Sequence, residues 1–303
     1  MTAESSSYTS VKDKVVVITG GSQGIGKAIA DALIDNGAKV VIGDILEQKG
    51  QEAVAAYNKK AGSKVAVFIR TDVTKYEDNL ALFKLADTEF GKVDHALLGA
   101  GIATNANSNF TALDDHLETN IFDVNVTGLI KGTKVALLYM AKRGGGSIVH
   151  IASVAGFYSS PGLSSYSASK HAVVGYTRSF QLMPHICNVR VNALCPYWVE
   201  TDLIRSVSNA TAEDDLLYAD IVKNSPRTPM STVIDAFFTL ITDESRNTQT
   251  LMALPDGLEI MTPPVPLASF GGEATKAAHA RYVERAIVVG KQRVAEQIEK
   301  YGI

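Results

Sequence analysis

The chain has 303 residues, 46% hydrophobic and 20% charged, so it is long enough to bury a core and too balanced in composition to be a disordered chain. A formal net charge of -3 and a pI near 6.1 give no clustered cationic surface for nucleic acid or an anionic membrane, and no apolar run reaches the ~18 residues that a bilayer span needs. The N-terminus MTAESSSYTS lacks the apolar stretch of a secretory signal, and Cys187 and Cys195 form neither a disulfide framework nor a zinc pattern; both read as inert thiols in a buried strand, and the cytoplasm is the default expectation.

Residues 1–11 read as a flexible tail. From Lys14 onward, β-branched runs alternate with segments of helical period. The expected strands are 15–19, 39–43, 64–69, 93–98, 146–151 and 189–194, with a last one near 249–254. Helices are expected at 24–36, 47–60, 75–90, 111–142, 164–184 and 231–243. Continuous apolar strands separated by helices mean a parallel sheet covered on both faces, which is the α/β doubly wound, Rossmann-type architecture. No linker divides residues 12–261, so one catalytic domain is expected. The polar segment 201–228 interrupts the alternation after a late strand and reads as a substrate lid. TPPVPLASFGG (262–272) is an extended connector, because proline removes amide donors and restricts its predecessor. It opens a C-terminal extension, 262–303, that ends in a helix from about 273 to 300.

The first strand ends in TGGSQGIG and leads directly into a helix. Glycines let the backbone approach a phosphate closely, and the helix N-terminus offers free N–H groups to it. A pyrophosphate suits this loop, although the spacing departs from G-x-G-x-x-G and many strand-to-helix turns are glycine-rich. Asp44 ends the second strand, 18 residues beyond Gly26, where a carboxylate can bond the adenosine ribose and repel a 2′-phosphate. Ser22, Gln23 and Ile45 supply no positive charge, so NAD is favoured over NADP. The bland reading of Asp44 is a helix N-cap.

TGGSQGIG, the acidic end of the second strand and Tyr166-Ser167-Ala168-Ser169-Lys170 together resemble the short-chain dehydrogenase/reductase family, in its NAD-dependent single-domain branch, over roughly residues 12–255. The resemblance implies cofactor contacts from Gly20, Ser22, Gln23, Gly24, Ile25 and Gly26, and from Asp44 and Ile45 at the ribose. It further implies Asp72 and Val73 at the adenine, Ala100 and Gly101 after the fourth strand, and Pro196, Val199 and Thr201 at the nicotinamide carboxamide. Asn125, Ser153, Tyr166 and Lys170 match the catalytic tetrad, with Lys170 also binding the nicotinamide ribose and Asn125 anchoring a water chain. Two departures stand out. Gly99 takes the place of a usual Asn that helps tie the sheet together, and Tyr197 stands where glycine is usual.

The chemistry can be read from the residues themselves. A phenol with a pKa near 10 is a poor base at neutral pH unless its anion is stabilised. Lys170 lies one helical turn from Tyr166, on the same face, and its positive charge favours the phenolate. Ser153 is expected to share the substrate oxygen with Tyr166; the bland alternative is that it caps a turn. These residues imply hydride transfer between NAD and a secondary alcohol or ketone. Two alternatives are an NAD-binding sensor or scaffold and a fold recruited for a non-redox reaction. A metal is not indicated: His116 and His150 have no spaced partner, and His171 reads as structural. Ser153 sits in A-S-V-A-G and not in a G-x-S-x-G elbow, which speaks against a hydrolase. Phe157, Tyr158, Leu163, Tyr197, Trp198, Leu203 and Ile204 suggest apolar walls for a hydrophobic substrate. The resemblance implies a homodimer or homotetramer paired through the helices carrying Asn125 and Tyr166. The final helix should bury one face, with residues 273–303 packed over the body or across a subunit partner near residues 201–228 and helping to close the cleft; the bland alternative is a solvated helix held by local pairs such as Glu296 with Lys300.

Overall fold

The computed structural model describes residues 8–103, 113–159, 162–208, 213–265 and 267–303. Among them the chain alternates strand and helix as far as β7. The first half runs β1 (Val15–Thr19), α1 (Gly24–Asp35), β2 (Lys39–Asp44), α2 (Glu47–Ala61), β3 (Ala66–Arg70), α3 (Tyr76–Phe90) and β4 (His95–Leu98). After it come α4 (Asp115–Phe122), α5 (Leu129–Lys142), β5 (Gly146–Ile151), α6 (Ser164–Arg178), α7 (Met183–Cys187) and β6 (Val189–Pro196). The chain closes with α8 (Asp202–Ser208), α9 (Glu213–Asn224), α10 (Met230–Thr242), β7 (Thr250–Leu254), β8 (Gly257–Ile260) and α11 (Glu273–Tyr301).

The described strands form an eight-stranded sheet in the order β3-β2-β1-β4-β5-β6-β7-β8. All neighbours pair in parallel except β7 with β8. Every residue of β1 is buried, because helices cover both faces. Val16 and Ile18 face the core under α1 and α10, while Val15 and Val17 face the core under α3, α5 and α6. The chain leaves β1 toward β2 on one side and returns to β4 on the other. That reversal opens a crevice beyond the C-terminal ends of β1 and β4, where ligands of open α/β sheets bind.

Four details differ from the sequence reading. The helix expected at 111–142 is two helices joined by a π-helical turn, Asp123–Gly128, and residues 111 and 112 fall outside the described ones. The helix expected at 164–184 stops at Arg178, and Pro184 sits at the start of the short α7 that follows. Cys187 therefore ends a helix and is half-buried, while Cys195 lies buried in β6. Finally, β8 is an antiparallel edge strand turned out of β7 at Pro255-Asp256, with Gly257 at φ 133°.

The C-terminal helix is placed differently from the expectation. Helix α11 packs against α5, α7 and the 3-10 turn Leu267–Phe270, and none of its residues is fully buried. Val283, Ala286, Ile287, Val294 and Ile298 are half-buried, whereas residues 273–282 are exposed on all sides. Because α7 leads into β6 at the N-terminal end of that strand, this docking lies toward the opposite end of the strands from the crevice. Among the described residues, none of the extension lines the cleft of its own chain.

Candidate active site

One cleft of about 940 Å³ occupies the crevice. Its volume is at the upper end of the range of small-molecule sites, roughly 300–1,000 Å³. The loop after β1 forms its floor. Gly20 and Gly24 have φ of 73° and 56°, and a Cβ on Gly26 would lie 2.2 Å from the Gly20 carbonyl oxygen, so the loop folds back on the first turn of α1. Gly20, Gln23, Gly24, Ile25 and Gly26 line the cleft. Ser22 does not; its backbone N–H donates to Asp44 Oδ2 at 3.0 Å. The other carboxylate oxygen of Asp44 accepts the Leu46 N–H at 3.0 Å, so the side chain is fixed at the end of β2 beside the exposed Ile45. A tight glycine turn against a helix N-terminus with a fixed carboxylate beyond it fits a dinucleotide.

Asp72 and Val73 line the same end. Burial opposes ionisation of Asp72, but hydrogen bonds from the Thr74 hydroxyl (2.7 Å) and N–H (3.0 Å), with Lys75 and Arg70 nearby, hold its carboxyl below the usual range. Ala100 and Gly101 follow β4, with the N–H groups of Gly99 and Ala100 directed at the Thr19 hydroxyl. Pro196, Val199 and Thr201 form the opposite wall at the end of β6, and Thr201 packs against the loop at Gly24.

Three of the four tetrad candidates line the cleft between these walls. Ser153 follows β5 in extended conformation, and its hydroxyl accepts the Ala155 N–H at 3.1 Å. It therefore caps a turn and faces the cleft at once. Tyr166 and Lys170 both project into the cleft from α6. The Lys170 ammonium donates to the Ile151 carbonyl at 3.0 Å and lies 5.5 Å from the Tyr166 ring centroid. Burial pushes the Lys170 pKa down to about 8, against a smaller opposing pull from Cys195. The amine stays mostly charged at neutral pH. Burial also pushes the Cys195 thiol up to about 12, which keeps it unreactive.

Asn125 stands behind the wall. It is buried in the π-helical turn, where its amide donates to the Ile102 carbonyl (2.9 Å) and the Ser169 hydroxyl (3.2 Å), and its Oδ1 accepts the Ile102 N–H at 2.8 Å. It thus ties the segment after β4 to α6. π-Turns are frequent at functional sites because the extra residue re-aims a side chain.

Toward the substrate end, Tyr158, Leu163, Tyr197, Trp198, Leu203 and Ile204 line the cleft. Phe157 does not; it packs on the core beneath the Arg178 guanidinium, 5.3 Å from its ring centroid. Sequence reasoning missed Ile221 and Ser225 of the α9 region, and Arg70 of β3, all of which face the cleft. His150 is buried between the hydroxyls of Thr133 (2.9 Å) and Thr177 (2.8 Å), and burial pushes its pKa to about 3, so it is neutral. His171 bonds the Ser167 carbonyl through Nδ1 at 2.8 Å, a structural contact within α6. Among the described residues no helix is long and apolar enough to cross a membrane.

Residues 14–212 match the family model described as short chain dehydrogenase, and the chain belongs to that family. It is similar to 15-hydroxyprostaglandin dehydrogenase [NAD(+)] of Homo sapiens, at 31% identity over 249 residues covering 78% of this chain and 89% of that one. It is also similar to cis-4-hydroxycyclohexanecarboxylate dehydrogenase of Sinomonas cyclohexanicum, at 37% identity over 192 residues covering 63% of this chain and 76% of that one. Among solved structures it resembles levodione reductase, with a TM-score of 0.73 and 25% identity, over 80% of this chain and 97% of that one.

Proposed function

We propose that the protein is an NAD-dependent oxidoreductase that interconverts a hydrophobic secondary alcohol and its ketone, with Tyr166 as general acid and base. The observation that carries this reading is the buried Lys170 ammonium beside the Tyr166 ring, in the same cleft as Ser153 and the glycine loop. The fixed carboxylate of Asp44 favours NAD over NADP, in keeping with the cofactor in the name of the human relative.

Bound NAD supplies the hydride acceptor or donor. Gly20, Gln23, Gly24, Ile25 and Gly26 would hold the pyrophosphate at the start of α1, Asp44 would hold the adenosine ribose, and Asp72 and Val73 would take the adenine. Ala100, Gly101, Pro196, Val199 and Thr201 would hold the nicotinamide end. In oxidation, Ser153 donates a hydrogen bond to the substrate oxygen while the Tyr166 phenolate takes the hydroxyl proton; in reduction the phenol returns it. Lys170 keeps a positive charge beside the phenolate, and Asn125 holds the backbone through which a water chain reaches Lys170. A sensor or non-redox role gives no reason for a cation placed beside a cleft-facing phenol.

The substrate lies against Tyr158, Leu163, Trp198, Leu203 and Ile204, so an apolar alcohol is favoured. Segment 201–228, of which residues 209–212 lie outside the described ones, acts as its lid, residues 12–261 form the catalytic domain, and copies pair through the helical segments carrying Asn125 and Tyr166. Mixing the protein with NAD+ and a panel of bulky, uncharged secondary alcohols tests the reading. NADH absorbance should appear with at least one of them, and its absence across the panel, together with no NADH oxidation by the matching ketones, refutes it.

A further inference from the structure

We propose that Arg70 is a latent partner for a 2′-phosphate and that Asp44 alone bars NADP, so that replacing Asp44, with no basic residue added, opens the protein to the phosphorylated cofactor. The inference rests on the NAD reading above. The sequence offers no cation at positions 22, 23 or 45, but the sheet register supplies one from elsewhere. Strands β2 and β3 pair in parallel with Asp44 opposite Arg70, so both side chains leave the same face at the same height, and both line the cleft. Arg70 is exposed and forms no ion pair with any described residue, Asp44 included. Its charge nonetheless reaches the corner of the site, since it contributes to lowering the carboxyl of Asp72.

Asp44 is also holding two donors in reserve. The N–H groups of Ser22 and Leu46, each 3.0 Å from one of its oxygens, are freed when the carboxylate is removed. Two backbone amides at Asp44, with a guanidinium carried at the facing register position of the next strand, make the parts of an anion site. Lys75 is drawn to Asp72, 3.8 Å from its Oδ2, and Lys49 is a second nearby cation. Its ammonium is engaged, 2.7 Å from Gln23 Oε1 and 3.6 Å from Asp202 Oδ2, so it is the less available partner.

Calorimetric titration with NADH and NADPH, paired with kcat/KM for both oxidised cofactors, tests this in four proteins: wild type, Asp44→Ser, Asp44→Ser with Arg70→Met, and Asp44→Ser with Lys49→Met. NADPH affinity should rise at least about tenfold in Asp44→Ser, the size expected for a charge-assisted contact. Arg70→Met should erase that gain and Lys49→Met should leave it. If Asp44→Ser does not fold, Asp44→Asn, which keeps one acceptor for the two amides, takes its place. No gain, or a gain that survives Arg70→Met, overturns the proposal while leaving the NAD reading intact. A wild type that binds NADPH more tightly than NADH overturns both.

Discussion

Lys170 and Tyr166, one turn apart on α6, face the same cleft with the ammonium 5.5 Å from the phenol ring centroid. The ammonium is kept in place by a 3.0 Å bond to the Ile151 carbonyl, at the end of β5 and two residues before Ser153. Burial disfavours its charge and pushes its pKa to about 8. The site therefore holds a cation where the fold alone is better served by a neutral group.

Lys170→Met should separate stability from activity. In the unfolded chain this lysine titrates near 10.4, so between about pH 8 and pH 10.4 the unfolded state binds the extra proton and wild-type stability rises with pH. Below pH 8 that contribution is absent. Lys170→Met should flatten this window in thermal melts of the cofactor-free protein, and its activity should fall severely, with the alkaline rise of the oxidation rate moved to higher pH. Melts with the same pH slope as wild type would show that Lys170 is not the titrating group.

Gly26→Ala should be costly in a way Gly24→Ala is not. A methyl at Gly26 meets the Gly20 carbonyl at 2.2 Å, so the cofactor loop must move, whereas at Gly24 the nearest atom is 3.6 Å away on Thr201 and the cost is the positive φ alone. We expect about 1–3 kcal/mol of lost stability for Gly26→Ala and roughly 1 kcal/mol for Gly24→Ala. NADH affinity should fall far more in the first. Equal melting points and equal affinities for the two variants would contradict this packing.

Much of this was legible in the sequence, for definite physical reasons. Strands buried on both faces must be apolar throughout, so β1, β2 and β5 stand out as runs, and TGGSQGIG and Tyr166/Lys170 sit where short-range spacing fixes geometry. What was hidden depends on long-range contact. Asn125 looks helical at every neighbouring position, and its π-turn arises where α4 and α5 join. Arg70 reaches the cleft only through the register of β2 with β3. Strand β8 is four residues long, and its one local cue was the Pro-Asp-Gly turn in the sequence. The periodicity of α11 marked a half-buried face, and nothing local could say that the face meets Ile186 on α7, which a Cβ on Gly290 would approach to 2.7 Å.

Truncation after Gly272 should accordingly leave the Michaelis constant for substrate unchanged. The helix covers α5 and α7 with half-buried side chains and contributes no residue to the cleft. The loss should appear as a melting point lower by a few degrees, about 2–4 °C per kcal/mol for a domain of this size. A raised Michaelis constant with unaltered stability would place the tail at the site.

Trp198→Ala should weaken binding of an apolar alcohol without affecting NADH. The ring lines the substrate end of the cleft and packs edge-on against Tyr197, with centroids 5.9 Å apart. An aromatic wall of this kind is worth about 1.5–3 kcal/mol, or roughly tenfold to hundredfold in the Michaelis constant. A change in NADH affinity of the same size would assign Trp198 to the cofactor instead.

The most direct test compares wild type with Tyr166→Phe in rapid-mixing experiments with NAD+ and the best secondary alcohol, following NADH formation in a single turnover while NADH binding is titrated separately. The substitution deletes the transferable proton and leaves the ring, so the account predicts intact folding and NADH affinity with hydride transfer slowed by about 10²-fold or more. Transfer within tenfold of wild type, at unchanged cofactor affinity, would contradict the role of Tyr166 as the acid and base.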